Sequence, residues 1–192
     1  LAAQMELEMA MESLIRQLEE AGIADDTVIV ISPDHYPYAL ERSATWGNAE
    51  NYLTELYGVT EMDRFTRDSN ALIIWSGCLE DKNLKVETPV YSLDILPTLS
   101  NLFGLNYDSR LLVGRDVFSD TEPLVLWPEY SWKTDKGTYD SGSGTFTPAE
   151  GVEIDDSYVD RIKAIVSNKI SYSREVQNLK YFQVLSDFLN GK

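Results

Sequence analysis

The chain has 192 residues, 43% hydrophobic and 25% charged, a composition that supports one sizeable core and excludes disorder over most of its length. Sixteen Lys and Arg stand against 32 Asp and Glu, a formal charge of −16, so the summed field repels a nucleic-acid backbone or an anionic membrane surface. One histidine, His35, and one cysteine, Cys78, exclude an intrachain disulfide and polyhistidine or Cys-rich zinc sites, and any histidine-assisted nucleophile must use His35.

Helical periodicity begins almost at Leu1, with no starter methionine and no leader, as expected of an excerpt or a processed product. No apolar run approaches the roughly 18 to 20 residues of a membrane span, so the piece is expected to be soluble. Leu7, Met11, Leu14, Ile15 and Leu18 mark the first helix, with glutamates on its other faces and Gly22 at the position past its end. The acidic turn Ala24-Asp25-Asp26 leads into Thr27-Val28-Ile29-Val30-Ile31, whose unbroken apolar run reads as a strand covered on both faces. A second helix is expected over 48–57, ending at Gly58, and a second core strand over Ala71 to Trp75. Ile95, Leu96, Leu99, Leu102 and Phe103 mark a further helix, with Asp94 as N-cap, Pro97 in the first turn and Gly104 beyond its end. Leu124 to Trp127 reads as a strand, and 131–147, with turns at Asp135-Lys136-Gly137 and Ser141 to Gly144, as an antiparallel meander. The tail from Asp155 to Leu189 regains helical spacing as two helices, expected to break near Ser171 to Ser173. The chain thus divides into an α/β part (1–120), a β-meander (121–150) and a helical tail (151–192).

Ser32-Pro33-Asp34-His35 follows directly on the first strand, and open α/β sheets bind ligands beyond the carboxyl ends of their strands. A carboxylate beside an imidazole suits a divalent metal, but two ligands do not complete a shell. On the pair alone, a structural reading outweighs the metal: Asp34 caps a turn and His35 bonds to backbone. Elsewhere the structural readings dominate. Asp94 is sufficiently employed as a cap, Glu19-Glu20 and Asp25-Asp26 as solvated faces, and Trp46, Trp75, Trp127 and Trp132 by packing, since they are not spaced as a stacking platform. Cys78 is expected to be buried or half-buried and inert. Ser92, Thr98 and Ser100 have no base in local sequence, and no phosphate-binding Gly-rich loop and no Gly-x-Ser-x-Gly elbow is present, which disfavours a serine hydrolase built on His35.

The stretch from Leu14 through Gly22, Asp25-Asp26 and Thr27-Val28 to Asp34-His35 resembles the "helix, Gly, acidic turn, Thr-Val strand, Asp-His" signature of the sulfatase and alkaline phosphatase superfamily. Downstream, Asp94-Ile95-Leu96-Pro97-Thr98 and Gly114-Arg115-Asp116-Val117-Phe118 resemble that superfamily's Asp-Ile-Leu-Pro-Thr helix and Gly-Arg-Asp-Leu-Phe segment. Asp34-His35-Tyr36-Pro37-Tyr38 and the late hairpins and helices are most similar to the extracellular domain of lipoteichoic acid synthase-like phosphoglycerol transferases. Pro33 and Tyr36 depart from the small residue and the glycine that commonly flank the superfamily's Asp-His pair.

This resemblance implies an α/β, alkaline-phosphatase-like three-layer αβα fold, of which the chain is the C-terminal half. It implies that Asp34 and His35 ligate a divalent ion, Mn2+, Mg2+ or Zn2+, in a site this chain leaves incomplete. The nucleophile, a Thr, Ser or modified Cys, would lie upstream, so no catalytic residue is assigned here and the isolated chain is expected to be inactive. The implied partners are the remainder of the catalytic domain and a phosphoester, phospholipid or sulfate-ester substrate. No nucleic acid is implied, and the membrane would be reached only through upstream segments of an extracytoplasmic, membrane-attached parent. The alternative is a non-catalytic extracellular module that retains the fold.

Overall fold

The computed structural model describes residues 2–37, 52–79 and 83–191, which fold as two compact units divided between Lys85 and Val86. The architecture is mixed α/β, with two small antiparallel sheets and C-terminal helices.

In the first unit, α1 (Ala2–Glu20) ends in a Schellman motif: the Ile23 N–H donates to the Leu18 carbonyl at 3.0 Å and the Gly22 N–H to that of Glu19 at 2.9 Å. Gly22 turns the chain at φ +69°, where a side chain would be strained. The acidic turn then holds the second strand. The Gly77 N–H donates to the Ala24 carbonyl at 3.1 Å, and a Cβ on Gly77 would lie 2.6 Å from the Asp25 carboxylate. That contact sets β1 (Ile29–Ile31) against β2 (Ile73–Trp75) in antiparallel register, with Ile29 opposite Trp75 and Ile31 opposite Ile73. Between the strands run α2 (Tyr52–Tyr57), whose Leu53 is fully buried, and α3 (Arg64–Arg67), capped by the Asp63 carboxylate, which accepts the Phe65 and Thr66 N–H groups.

Three sequence expectations change in this unit. The strands are shorter than 27–31 and 71–75, and they are half-buried instead of covered on both faces, with Ile73 exposed. A β-branched run records what a strand is able to bury; each of these pairs with one neighbour among the described residues, so much of its apolar surface has no cover there. Cys78 is exposed, since it follows β2 in a single 3-10 turn after the buried Ser76. Of the helix expected over 48–57, residues 48–51 lie outside the described residues, as does Trp46. The four-residue α3 is too short to leave a periodic signal.

In the second unit, α4 (Ile95–Leu102) follows a 3-10 turn, Ser92–Asp94, and is clasped to the Gly114-Arg115-Asp116 segment. Asp94 was expected to cap this helix; its side chain makes no such bond. It is 1% exposed, and its carboxylate accepts the Tyr91 N–H at 3.2 Å and the Arg115 N–H at 2.8 Å. The Thr98 hydroxyl donates to the Asp94 carbonyl at 2.6 Å and accepts the Val117 N–H at 3.1 Å, while Asn101 donates to the Asp116 carboxylate at 2.6 Å. The Arg115 guanidinium reaches the Thr88 hydroxyl at 3.2 Å, and Lys169 donates to the Val113 carbonyl at 2.6 Å. The two downstream motifs are therefore halves of one polar clasp. Its closest approach is at Gly114, where a Cβ would stand 2.0 Å from the Leu93 carbonyl oxygen. Gly114→Ala is expected to cost about 1 to 3 kcal/mol, through forced backbone displacement, in chemical unfolding followed by circular dichroism.

The meander is β3 (Val125–Leu126), β4 (Trp132–Thr134), β5 (Gly137–Asp140) and β6 (Thr145–Pro148), paired in that order. Alternation along β4 and β5 turns Trp132, Thr134 and Tyr139 toward α5 (Tyr158–Asn178), which buries Tyr158, Ile162 and Val166. The helix expected to break near Ser171 to Ser173 continues unbroken to Asn178. The chain turns instead at Lys180, left-handed at φ 49°, before α6 (Tyr181–Leu189). Serines on the outer side of a helix compete weakly with its ladder, whereas a left-handed residue ends it. Residues 86–120 fold with the meander and the tail.

Candidate functional site

Asp34 and His35 emerge directly after β1, in the first unit, on an exposed loop that starts at Ser32. The Asp34 side chain is 91% exposed and that of His35 49%, and His35 Nε2 stands 3.4 Å from Asp34 Oδ1. The other ring nitrogen, Nδ1, is 2.7 Å from the Tyr36 carbonyl oxygen. A carbonyl only accepts, so Nδ1 carries the proton, and in the neutral ring the lone pair sits on Nε2, the nitrogen facing the carboxylate. The backbone bond expected of His35 in the structural reading is present at Nδ1; bonds of this kind also orient metal-ligating histidines in general.

The loop is held from α3. The Arg67 guanidinium lies over the Tyr36 ring, 4.9 Å from its centroid, and its Nε donates to the Asp68 carboxylate at 2.9 Å. Arg67 thus steadies the residue whose carbonyl sets the imidazole. Sequence reasoning missed it: thirty-two positions separate Arg67 from His35, and only the pairing of β1 with β2 returns the chain to this loop. An Arg-Asp dipeptide just before an apolar strand was the single available signal.

A carboxylate oxygen and an imidazole nitrogen form a donor pair suited to Zn2+, Mn2+ or Mg2+. Two donors about 2.1 Å from one ion and a tetrahedral angle apart are about 3.4 Å from each other, so the separation of Asp34 and His35 fits a shared divalent ion. No group of three or more His, Cys, Asp or Glu placed for an ion occurs among the described residues. Asp94, Thr98 and Ser100 are buried in the second unit, in the clasp and its helix.

No family model matches the chain. It is 25% identical over 178 residues to lipoteichoic acid synthase 2 of Bacillus subtilis (strain 168), covering 90% of this chain and 26% of the relative. Lipoteichoic acid synthase 1 of the same organism is 26% identical over 194 residues, 95% of this chain and 28% of the relative. Lipoteichoic acid synthase of Staphylococcus saprophyticus is 27% identical over 125 residues, 62% of this chain and 18% of the relative. The matches cover 18 to 28% of the length of these curated relatives. No described helix is long and apolar enough to cross a membrane. The chain is a distant relative of the lipoteichoic acid synthases, and the match runs over most of its length.

Proposed function

We propose that the chain is the C-terminal part of a sulfatase-superfamily catalytic domain of three-layer αβα type, whose parent transfers phosphoglycerol, or hydrolyses a related phosphoester or sulfate ester, at the outer face of the cell membrane. The observation that carries this is the Asp34-His35 pair: two donors 3.4 Å apart at the carboxyl end of β1, with the imidazole orientation set by the Tyr36 carbonyl. The kinship with lipoteichoic acid synthases supports the transferase reading. A divalent ion bound here would lower the pKa of a coordinated hydroxyl and neutralise phosphoryl charge. Asp34 would offer that ion a carboxylate oxygen and His35 the Nε2 nitrogen. The Tyr36 carbonyl holds the Nδ1 proton, and Arg67 steadies Tyr36. The nucleophile and the remaining ligands come from the upstream part of the domain, so the 192 residues alone do not turn over.

Calorimetric titration with Mn2+ and Zn2+ is expected to give weak binding that Asp34→Ala and His35→Ala each abolish. Both side chains are exposed, so the thermal melts of the variants should match the wild type within about 0.5 kcal/mol. Binding unchanged in both variants would leave the non-catalytic module as the better reading. Aryl phosphate hydrolysis by the chain, removed by His35→Ala, would disprove an upstream nucleophile.

A further inference from the structure

We infer that a cavity on the outer face of the meander is a binding site for a neutral sugar. The cavity, of about 510 Å³, lies within the second unit, between the stretch 87–89 and strands β4, β5 and β6. That size is in the range of small-molecule sites. Its floor follows from the strand register. Lys133 on β4 stands opposite Thr138 on β5, and Thr138 opposite Thr147 on β6, so the three side chains form one row across the sheet, about 4.8 Å from strand to strand. Alternation turns this row away from Trp132 and Tyr139, which face α5. Its wall is held by the clasp: Arg115 Nη2 donates to Thr88 Oγ1 at 3.2 Å, and the Arg115 N–H donates to Asp94 at 2.8 Å.

The chemistry of the lining selects the ligand. Thr88 accepts from Arg115, which leaves its own hydroxyl proton for donation. The side chains of Lys133, Thr138 and Thr147 bond to no other described residue, so an ammonium and two hydroxyls face the cavity without an internal partner. Glu87 and Asp135 bring carboxylates to the same lining. One cation against two carboxylates leaves the lining net negative, on a chain of charge −16, which disfavours a phosphate or sulfate ester. An apolar ligand would strip water from these groups and return no hydrogen bond. A sugar meets both demands, because each of its hydroxyls donates and accepts: it takes a proton from Thr88 or Lys133 and gives one to Asp135. The site shares no residue with the Asp34-His35 pair and does not depend on the metal reading.

The test is NMR titration of the isotope-labelled chain with maltose, galactose and N-acetylglucosamine, with inorganic phosphate and glycerol as parallel arms. At least one sugar is expected to shift the amide resonances of Thr88, Lys133, Thr138 and Thr147 and to saturate with a dissociation constant on the order of 1 mM, as befits a polar lining without aromatic rings. Phosphate should leave these resonances in place. Thr138→Val combined with Thr147→Val should raise the constant about tenfold. Valine keeps the β-branched shape, and neither hydroxyl has an internal partner among the described residues, so the melt of the double variant should coincide with the wild type and keep loss of binding distinct from loss of fold. The inference is overturned if no sugar shifts these resonances at concentrations well above the millimolar range, or if phosphate shifts them and the sugars do not. It is equally overturned if glycerol at equal concentration shifts them as strongly as the sugars, or if the double variant saturates as the wild type does.

Discussion

Trp132→Ala should lower the unfolding free energy of the second unit by about 3 to 5 kcal/mol, read from urea titrations followed by circular dichroism at 222 nm. Trp132 is 0% exposed and is the hub of the aromatic cluster. It stacks on Tyr139 at 5.5 Å with a 21° interplanar angle, meets Phe146 at 5.4 Å, and packs edge-on against Tyr158 at 6.2 Å. The Tyr158 hydroxyl donates to Thr134 at 2.8 Å, so the same residue that closes the cluster ties α5 to β4. Removing the indole opens a cavity between the four-stranded sheet and α5. A loss below about 1 kcal/mol would mean that the meander is held by its turns and ladder, not by this cluster. Trp132→Phe should recover part of the loss.

Asp94→Ala should cost about 2 to 4 kcal/mol, since it removes a carboxylate that is 1% exposed and leaves the Tyr91 and Arg115 N–H groups without their acceptor. Asp94→Asn keeps one acceptor oxygen and should cost less. The pH dependence of the two proteins separates charge from hydrogen bonding. Burial holds the Asp94 carboxyl above the usual carboxylate range; the Arg115 and Tyr91 N–H groups, and the charges of Arg115 and Lys169, offset that rise only in part. The folded state therefore holds this proton more tightly than the unfolded chain. Its contribution favours folding fully below the ordinary aspartate pKa and is lost as pH rises through the raised, folded-state value. The stability difference between wild type and Asp94→Asn should accordingly move toward the wild type as pH falls into the carboxylate range. A difference that moves the other way would show that the clasp needs the ionised form.

Much of the local structure was legible because it depends on neighbours in sequence. Gly22, Gly58 and Gly144 stand at positive φ, at the ends of α1 and α2 and in the β5–β6 turn, where the pattern placed turns or helix ends. The meander strands were readable from alternation and from the Asp135-Lys136 and Ser141 to Gly144 turns. What misled the reading were residues with distant partners. Asp94 sits where a cap belongs and yet spends its carboxylate on Arg115, 21 positions away. Serines near 171 look like a break, but the helix breaks at Lys180, whose left-handed backbone has no compositional mark. Of the candidate site, the Asp34-His35 pair and its place after a strand were legible, whereas the hold of Arg67 on Tyr36 was not, because a cation over a ring leaves no spacing rule in the chain.

By itself the sequence determined the kinds of element, the acidic balance, the single histidine beside a carboxylate, and the kinship with lipoteichoic acid synthases, all of which are carried by local residue order. The tertiary structure alone decided that Nδ1 of His35 bonds to the Tyr36 carbonyl while Nε2 faces Asp34, that two separate motifs form one polar clasp around the buried Asp94 and Thr98, and that no apolar residue of α6 is buried among the described residues. The reason is physical: propensity and pattern state what a segment is able to bury or bond, and only the packed chain fixes which of those groups find partners and which are left facing outward.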